Sequence, residues 1–258
     1  MFYIQQKSFA SRYSLALWMK CMCFMFNFLC CTALAQVPTW KSCSIEQATQ
    51  VIKSSFNWFS SEEAISVVTT HTTYQNFETK IPYEKHKGFY KKYKNNYHSL
   101  ISGIHTIQND KYRLVVDTVT KQIMLANASD LAFFMEDNQT LQERLKLCTQ
   151  VEELQTPLSV YYRLQYPQTH AVLKMEVEIG KDGRIKEVVY FLNQEIKNED
   201  QSSYSVINPR LSIMFSNYKS QVAKSEFDEQ KYISWAEKKP VLKEKYRDFD
   251  FFDARVQE

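Results

Sequence analysis

Five histidines and six cysteines are the side chains of this sequence best suited to hold a metal or act as a nucleophile. His71, His86, His98, His105 and His170 show no H-x-H or H-E-x-x-H spacing, so zinc-type hydrolysis is not indicated and strand-surface positions are expected for them. Cys21, Cys23, Cys30 and Cys31 are spaced C-x-C and C-C with no histidine between them, unlike the paired C-x2-4-C of structural zinc sites. The four glycines, Gly88, Gly103, Gly180 and Gly183, are too scattered for a P-loop or a G-x-G-x-x-G turn, which need the backbone to approach a phosphate closely. No G-x-S-x-G elbow is present, and no pair of carboxylates stands out for glycoside chemistry. Asp117, in an otherwise apolar LVVDTV run, is expected to begin the turn toward Lys121 by accepting backbone N–H groups. The expectation is a protein without catalytic residues, metal or cofactor.

The four crowded cysteines belong to MKCMCFMFNFLCCTALAQ, residues 19–36. Its apolar run is interrupted at Asn27 and stops near Ala35, short of the about 20 residues that a membrane span needs. Lys7, Arg12 and Lys20 in front, an apolar centre, and Ala33-Leu34-Ala35 before Gln36 make a secretory signal with cleavage between Ala35 and Gln36. The chain is therefore expected to be exported, with no integral span after cleavage. Three of the 32 Lys+Arg and none of the 29 Asp+Glu lie in residues 1–35, so residues 36–258 carry 29 of each and no net charge. That removes the electrostatic basis for nucleic-acid binding. Two cysteines remain, Cys43 and Cys148. They are either a disulfide, worth about 3–4 kcal/mol across so long a loop, or two separate buried thiols.

The elements follow from periodicity. Residues 44–59 open with the capping box Ser44-x-x-Gln47 and put Ile45, Ala48, Val51, Ile52, Ser55, Phe56 and Phe59 on one helical face. Residues 63–77 are rich in β-branched side chains and read as a strand; 86–96 and 97–109 read as one strand each, and 112–127 as two. Thr140-x-x-Glu143 starts a second helix over 138–150, with Leu141, Leu145 and Cys148 on one face. Residues 158–167, with Tyr162 and Leu164, form a strand ending at Pro167. In residues 171–194, Leu173, Met175, Val177 and Ile179 alternate with charged residues, and Gly180 to Gly183 turns the chain back as a half-buried antiparallel hairpin. Residues 210–219 add a strand with Leu211, Ile213 and Phe215 on one face. The order predicts an α+β fold, an antiparallel sheet covered on one face by two amphipathic helices.

Several stretches carry a resemblance: Ala48-Thr49-Gln50-Val51-Ile52-Lys53 in the helix after the signal, KGFYKKYKNNYHSLISGIHTIQNDKYRLVVDTVTKQIMLAN at 87–127, NPRLSIMFSNY at 208–218, and the ending at 231–255. With them the chain resembles envelope proteins of Bacteroidota similar to the LolA/LolB lipoprotein-carrier superfamily. The resemblance implies an incomplete β-barrel (a curved sheet wrapped around helices) with an apolar groove for acyl chains, in the periplasm or envelope of a Gram-negative bacterium. It implies a LolA-like domain over 36–219 after a signal at 1–35, with 220–258 as an extension docked on the barrel. Arg113 and Arg163 lie in strand-like segments where either could point inward.

Two functions follow. In the first, Tyr162, Leu164, Leu173, Met175, Val177, Ile179, Leu211, Ile213 and Phe215 line a groove that sequesters a lipid or the acyl anchor of a lipoprotein, and a helix is displaced to open it. In the second, these residues are ordinary core, and the aromatic tail from Trp235 to Phe252 meets an envelope protein partner.

Overall fold

Ser44 starts the helix: its hydroxyl accepts the backbone N–H of Gln47 at 3.0 Å, and α1 runs from Ile45 to Ser61. Glu62 and Glu63 alone separate α1 from the first long strand. The computed structural model describes residues 38–128, 143–197, 204–237 and 239–255. The signal-like segment, its cleavage site at Ala35 and Gln36, and the first part of the helix expected over 138–150 lie outside them. All the elements below belong to the compact unit that begins at Trp40.

The strands are β1 (Lys41–Ser42), β2 (Ala64–Tyr74), β3 (Glu84–Tyr93), β4 (Asn96–Ile101), β5 (Ile104–Gln108), β6 (Tyr112–Asp117), β7 (Gln122–Asn127), β8 (Gln150–Gln155) and β9 (Ser159–Gln165). They continue as β10 (Val172–Gly180), β11 (Ile185–Leu192), β12 (Gln194–Lys197), β13 (Tyr204–Ile207), β14 (Arg210–Lys219), β15 (Ile233–Ala236), β16 (Lys239–Leu242) and β17 (Asp250–Asp253). Thirteen form one sheet in the order β1-β8-β9-β10-β11-β14-β2-β3-β4-β5-β6-β7-β17. Among the described residues, only the β7–β17 pair is parallel. The sheet is large, curved and open, because β1 and β17 are both edges; so many twisted strands curl rather than lie flat. Shifts in register within β10 and β14 add to the bend. β12–β13 and β15–β16 are separate hairpins.

The 97–109 segment is two strands rather than the single strand expected. Ser102 and Gly103 both have positive φ, 48° and 85°, the pair of left-handed residues that a two-residue hairpin turn requires. Asp117 does begin its turn: Oδ1 accepts the N–H groups of Val119 at 2.8 Å and Thr120 at 3.0 Å. Of the second expected helix, residues 143–146 are helical, and the chain has become β8 by Gln150.

Register assigns the faces. Tyr162, Val177, Val188, Ile213 and His71 stand side by side across β9, β10, β11, β14 and β2. Four residues along β2 from His71, Val67 begins a second row on the same face: Val67, Tyr90, Ser99, Thr106, Val115, Met124 and Phe252. This is the face that carries α1, whose Ala48, Ile52 and Phe56 are buried with Val67, Leu164, Met175, Val177 and Val188 in one cluster. The opposite face of β5–β7 presents Ile107, Leu114, Val116, Ile123 and Leu125. The C-terminal segment covers it with Tyr232 and Ile233, flanked by Trp235, Leu242, Tyr246 and Phe249. The sheet is thus covered on both faces, by α1 at one half and by the tail at the other. The element order alone led to one covered face; the tail's layer answers the five large apolar side chains on the other face of β5–β7.

Candidate functional site: a graded face beneath one helix

The face under α1 changes character along the sheet. Toward β9–β11 it is apolar. Tyr162, Leu164, Met175, Val177 and Ile179 are at most 4% exposed, and Phe215 from β14 is buried beside them with Ile213 against the same cluster. Leu173 and Leu211 are only half-buried and stand outside that cluster. Burial pushes the Tyr162 phenol up to about 12, with Glu153 and Cys43 adding to the shift, so it stays neutral.

Toward β3–β6 the same face turns polar. The register row from Ile65 runs through Lys92, Tyr97, Gln108 and Arg113 to Ala126. Lys92 donates to the carbonyl of Glu62 at 2.9 Å, at the joint where α1 meets β2. The Tyr97 hydroxyl donates to Gln108 Oε1 at 3.2 Å; both side chains are buried, as are Ser99 and Thr106 in the adjacent row. Burial raises the Tyr97 pKa and the Arg113 charge opposes it. Register puts Arg113 on the inner face, in line with Tyr97 and Gln108. Arg163 lies on the opposite face, bonded to Glu176 at 2.8 Å and Glu152 at 3.3 Å, with its guanidinium 4.0 Å from the centre of the Trp40 ring.

α1 is held differently at its two ends. At the C-terminal end Trp58 meets Tyr218 edge-on, ring centres 6.0 Å apart, with Arg184 over both rings, and the Tyr218 hydroxyl donates to the carbonyl of Ile185 at 2.6 Å. At the N-terminal end, β1 pairs with β8 over two residues, Lys41 with Glu153 and Ser42 with Glu152. The Cys43 N–H then donates to the Val151 carbonyl at 3.1 Å. Cys43 and Cys148 are free thiols; Cys148 is buried in the cluster under α1 and Cys43 packs on its margin.

Of the histidines, expected at the surface, only His98 is buried; His71, His86, His105 and His170 are partly exposed, His86 beside Glu84. His98 is 5% exposed on the face opposite α1 and pairs with His105 beneath the C-terminal segment. Among the described residues no three His, Cys, Asp or Glu side chains are grouped to hold a metal, and no helix is long and apolar enough to cross a membrane. The polar row was invisible in sequence, because Tyr97, Gln108 and Arg113 sit on three strands whose register only the pairing fixes; the Ser102-Gly103 dipeptide was the available turn signal.

No protein-family model and no curated protein matches the chain. Solved structures give distant likenesses. An uncharacterised conserved protein from Thermus thermophilus is 11% identical with a TM-score of 0.41, over 80% of this chain and 99% of that one. The Mycobacterium tuberculosis lipoprotein LppX is 9% identical with a TM-score of 0.35, over 70% and 99%. A DUF1329 family protein from Desulfovibrio piger is 9% identical with a TM-score of 0.28, over 72% and 98%. Likenesses at this level carry no functional assignment to this chain.

Proposed function

We propose that this chain is an exported, non-catalytic envelope protein that binds an acylated ligand, a lipid or the acyl anchor of a lipoprotein. The tail of the ligand lies against β9–β11, its polar head lies toward the row from Lys92 to Arg113, and α1 is the cover. The observation that carries this reading is the grading of one face of the sheet, from apolar where α1 packs on it to polar in the row from Lys92 to Arg113. The chemistry matches an amphiphile: methylenes need apolar walls, and a carboxylate or phosphate head needs hydroxyl, amide and guanidinium donors.

The energetics permit exchange of helix for ligand. Lifting α1 exposes Ile52 and Phe56 fully and Ala48, Val51 and Trp58 in part, a loss of about 5–8 kcal/mol at ~1.5–3 kcal/mol per large side chain. A chain of about fifteen methylenes recovers ~12 kcal/mol.

A second reading, an envelope interaction module with a permanently filled core, is favoured by the close burial of Ala48 and Ile52, both at 0% exposure. Native mass spectrometry separates the two, on chain expressed from the full sequence and purified from envelope extract without detergent. An added mass that organic solvent removes and lipid analysis shows to be acylated supports the carrier. A clean mass that also refuses added palmitate overturns it in favour of the filled module.

A further inference from the structure

The joint between α1 and β2 is two residues long, whereas the other end of α1 hangs on two residues of edge strand. If α1 lifts as a cover, the chain at Glu62 and Glu63 is the hinge, and the end that must move is the one carrying β1, Cys43 and Ser44. The connections there include the β1–β8 pairs at Lys41 and Ser42, the bond from the Cys43 N–H to Val151, and the Trp40 ring against the Arg163 guanidinium. A two-residue edge strand opens readily by itself.

Cys43 sits where that end meets the sheet. Its backbone faces Val151 on β8, and Cys148 lies three residues before Val151, with its Sγ 3.1 Å from the Gln150 carbonyl and its N–H bonded to Leu145 at 3.3 Å. Both sulfurs belong to the packing around the apolar cluster under α1. We infer that Cys43 and Cys148 form a disulfide that locks the moving end of α1 to the start of β8, so that the oxidised protein is closed and the reduced protein can open. The gating part of this inference rests on the carrier reading; the bond itself does not.

The step balances by thiol–disulfide exchange. The Cys43 thiol, the more exposed of the two, loses its proton and attacks one sulfur of a donor disulfide, releasing the first donor thiol. Cys148 loses its proton, attacks the Cys43 sulfur of the mixed disulfide and releases the second donor thiol. Two protein thiols are oxidised, one donor disulfide is reduced to two thiols, and the two protons pass to the leaving thiolates. Burial raises both protein thiols, most directly; Glu153 and Cys148 add to the shift at Cys43. The folded dithiol therefore exchanges slowly, and the bond forms best as the chain folds in the presence of a donor.

The test uses the full-length expressed chain, with oxidised glutathione as donor and dithiothreitol as reductant, read by peptide mapping, hydrogen exchange and uptake of a fluorescent fatty acid. The expected result is a linked peptide containing Cys43 and Cys148, and a melting midpoint roughly 5–15 °C higher when oxidised. Reduction is expected to speed amide exchange at the N-terminal turns of α1 and fatty-acid uptake by about tenfold or more. The variant C43S should behave like the reduced protein under oxidising conditions. No linked peptide after oxidation overturns the inference. A linked peptide with unchanged α1 exchange overturns the lock. A linked peptide with redox-dependent exchange but no fatty-acid uptake in either state supports the lock and overturns the carrier reading instead.

Discussion

His98 Nε2 lies 3.1 Å from His105 Nδ1, on the side of the sheet away from α1 and beneath the C-terminal segment. The other ring nitrogen of His98 is buried with no hydrogen-bond partner among the described residues, 4.0 Å from the Glu226 carboxylate. The tautomers that suit this geometry have His105 donating from Nδ1–H, with His98 turning its own Nδ1–H toward Glu226. Glu226 is also 3.0 Å from Lys91 and 3.7 Å from Lys231, so it ties the tail to β3. Phe89 stands edge-on to the His98 ring, and Tyr232 closes over His105.

Acid should loosen this junction. Burial first, then His105, Lys91 and Lys231, hold His98 down to about 4 despite Glu226; burial lowers His105 as well. Both folded values lie below the unfolded value of 6.5, so the unfolded chain binds more protons between pH 6.5 and about 4. Stability is full above that window and falls as pH drops through it, by at most about 1.4 kcal/mol per pH unit for each histidine. Melting midpoints from pH 7.5 to 4.5 should fall in the native chain and fall less in H98Q. A flat profile in the native chain would refute the argument.

The tail is a wall of the second core. Ile233 is 0% exposed against Ile107, Leu114, Val116, Ile123 and Leu125. Ile233→Ala should cost about 2–4 kcal/mol, read by urea unfolding. A loss under ~0.5 kcal/mol would mean that the tail is merely draped on the sheet. Ending the chain at Lys219 should expose those five side chains and cause aggregation or strong dye binding.

Gly88 allows β3 and β4 to approach. A Cβ there would clash with the Leu100 carbonyl oxygen and stand 2.9 Å from Thr69 Oγ1. The first contact is with backbone, which cannot rotate away, so Gly88→Ala should destabilise by about 1–3 kcal/mol. Unfolding that is unchanged or more stable would show that the two strands separate without cost.

Elements built on local rules were legible in the sequence. The Ser44 cap, the alternation through Met175, Val177 and Ile179, and the turn at Asp117 are decided within a few residues. What was hidden depends on partners far along the chain. Short strands such as β1, β8 and β17 carry little periodicity and exist because a long neighbour offers its edge. The polar row likewise takes one residue from each strand, and its facing follows from register. Trp235, Tyr246 and Phe249 fall in the Trp235–Phe252 stretch that one of the two sequence readings makes a partner surface, yet they pack as cover because β5–β7 present their large apolar residues away from α1. Among the described residues, Val241 and Phe252 are the large apolar side chains of the tail that remain about half exposed, at 47% and 52%.

The two arginines give the sharpest separation between inner and outer face. Arg163, bonded to Glu152 and Glu176 on the outer face and about a quarter exposed, belongs to a solvated network. Arg163→Gln should cost only about 0.2–1 kcal/mol and leave ligand affinity alone. Arg113 shares the inner row with Tyr97 and Gln108, so in the carrier reading its charge meets an anionic head. Arg113→Gln should weaken binding of palmitate by about tenfold, the loss of one charge-assisted hydrogen bond, while hexadecanol binding changes little because its head carries no charge. Titrating both ligands against both variants separates lost affinity from lost folding, since misfolding would weaken acid and alcohol alike. Equal weakening of the two ligands by Arg113→Gln, or selective loss of palmitate by Arg163→Gln, would place the head of the ligand elsewhere on the sheet.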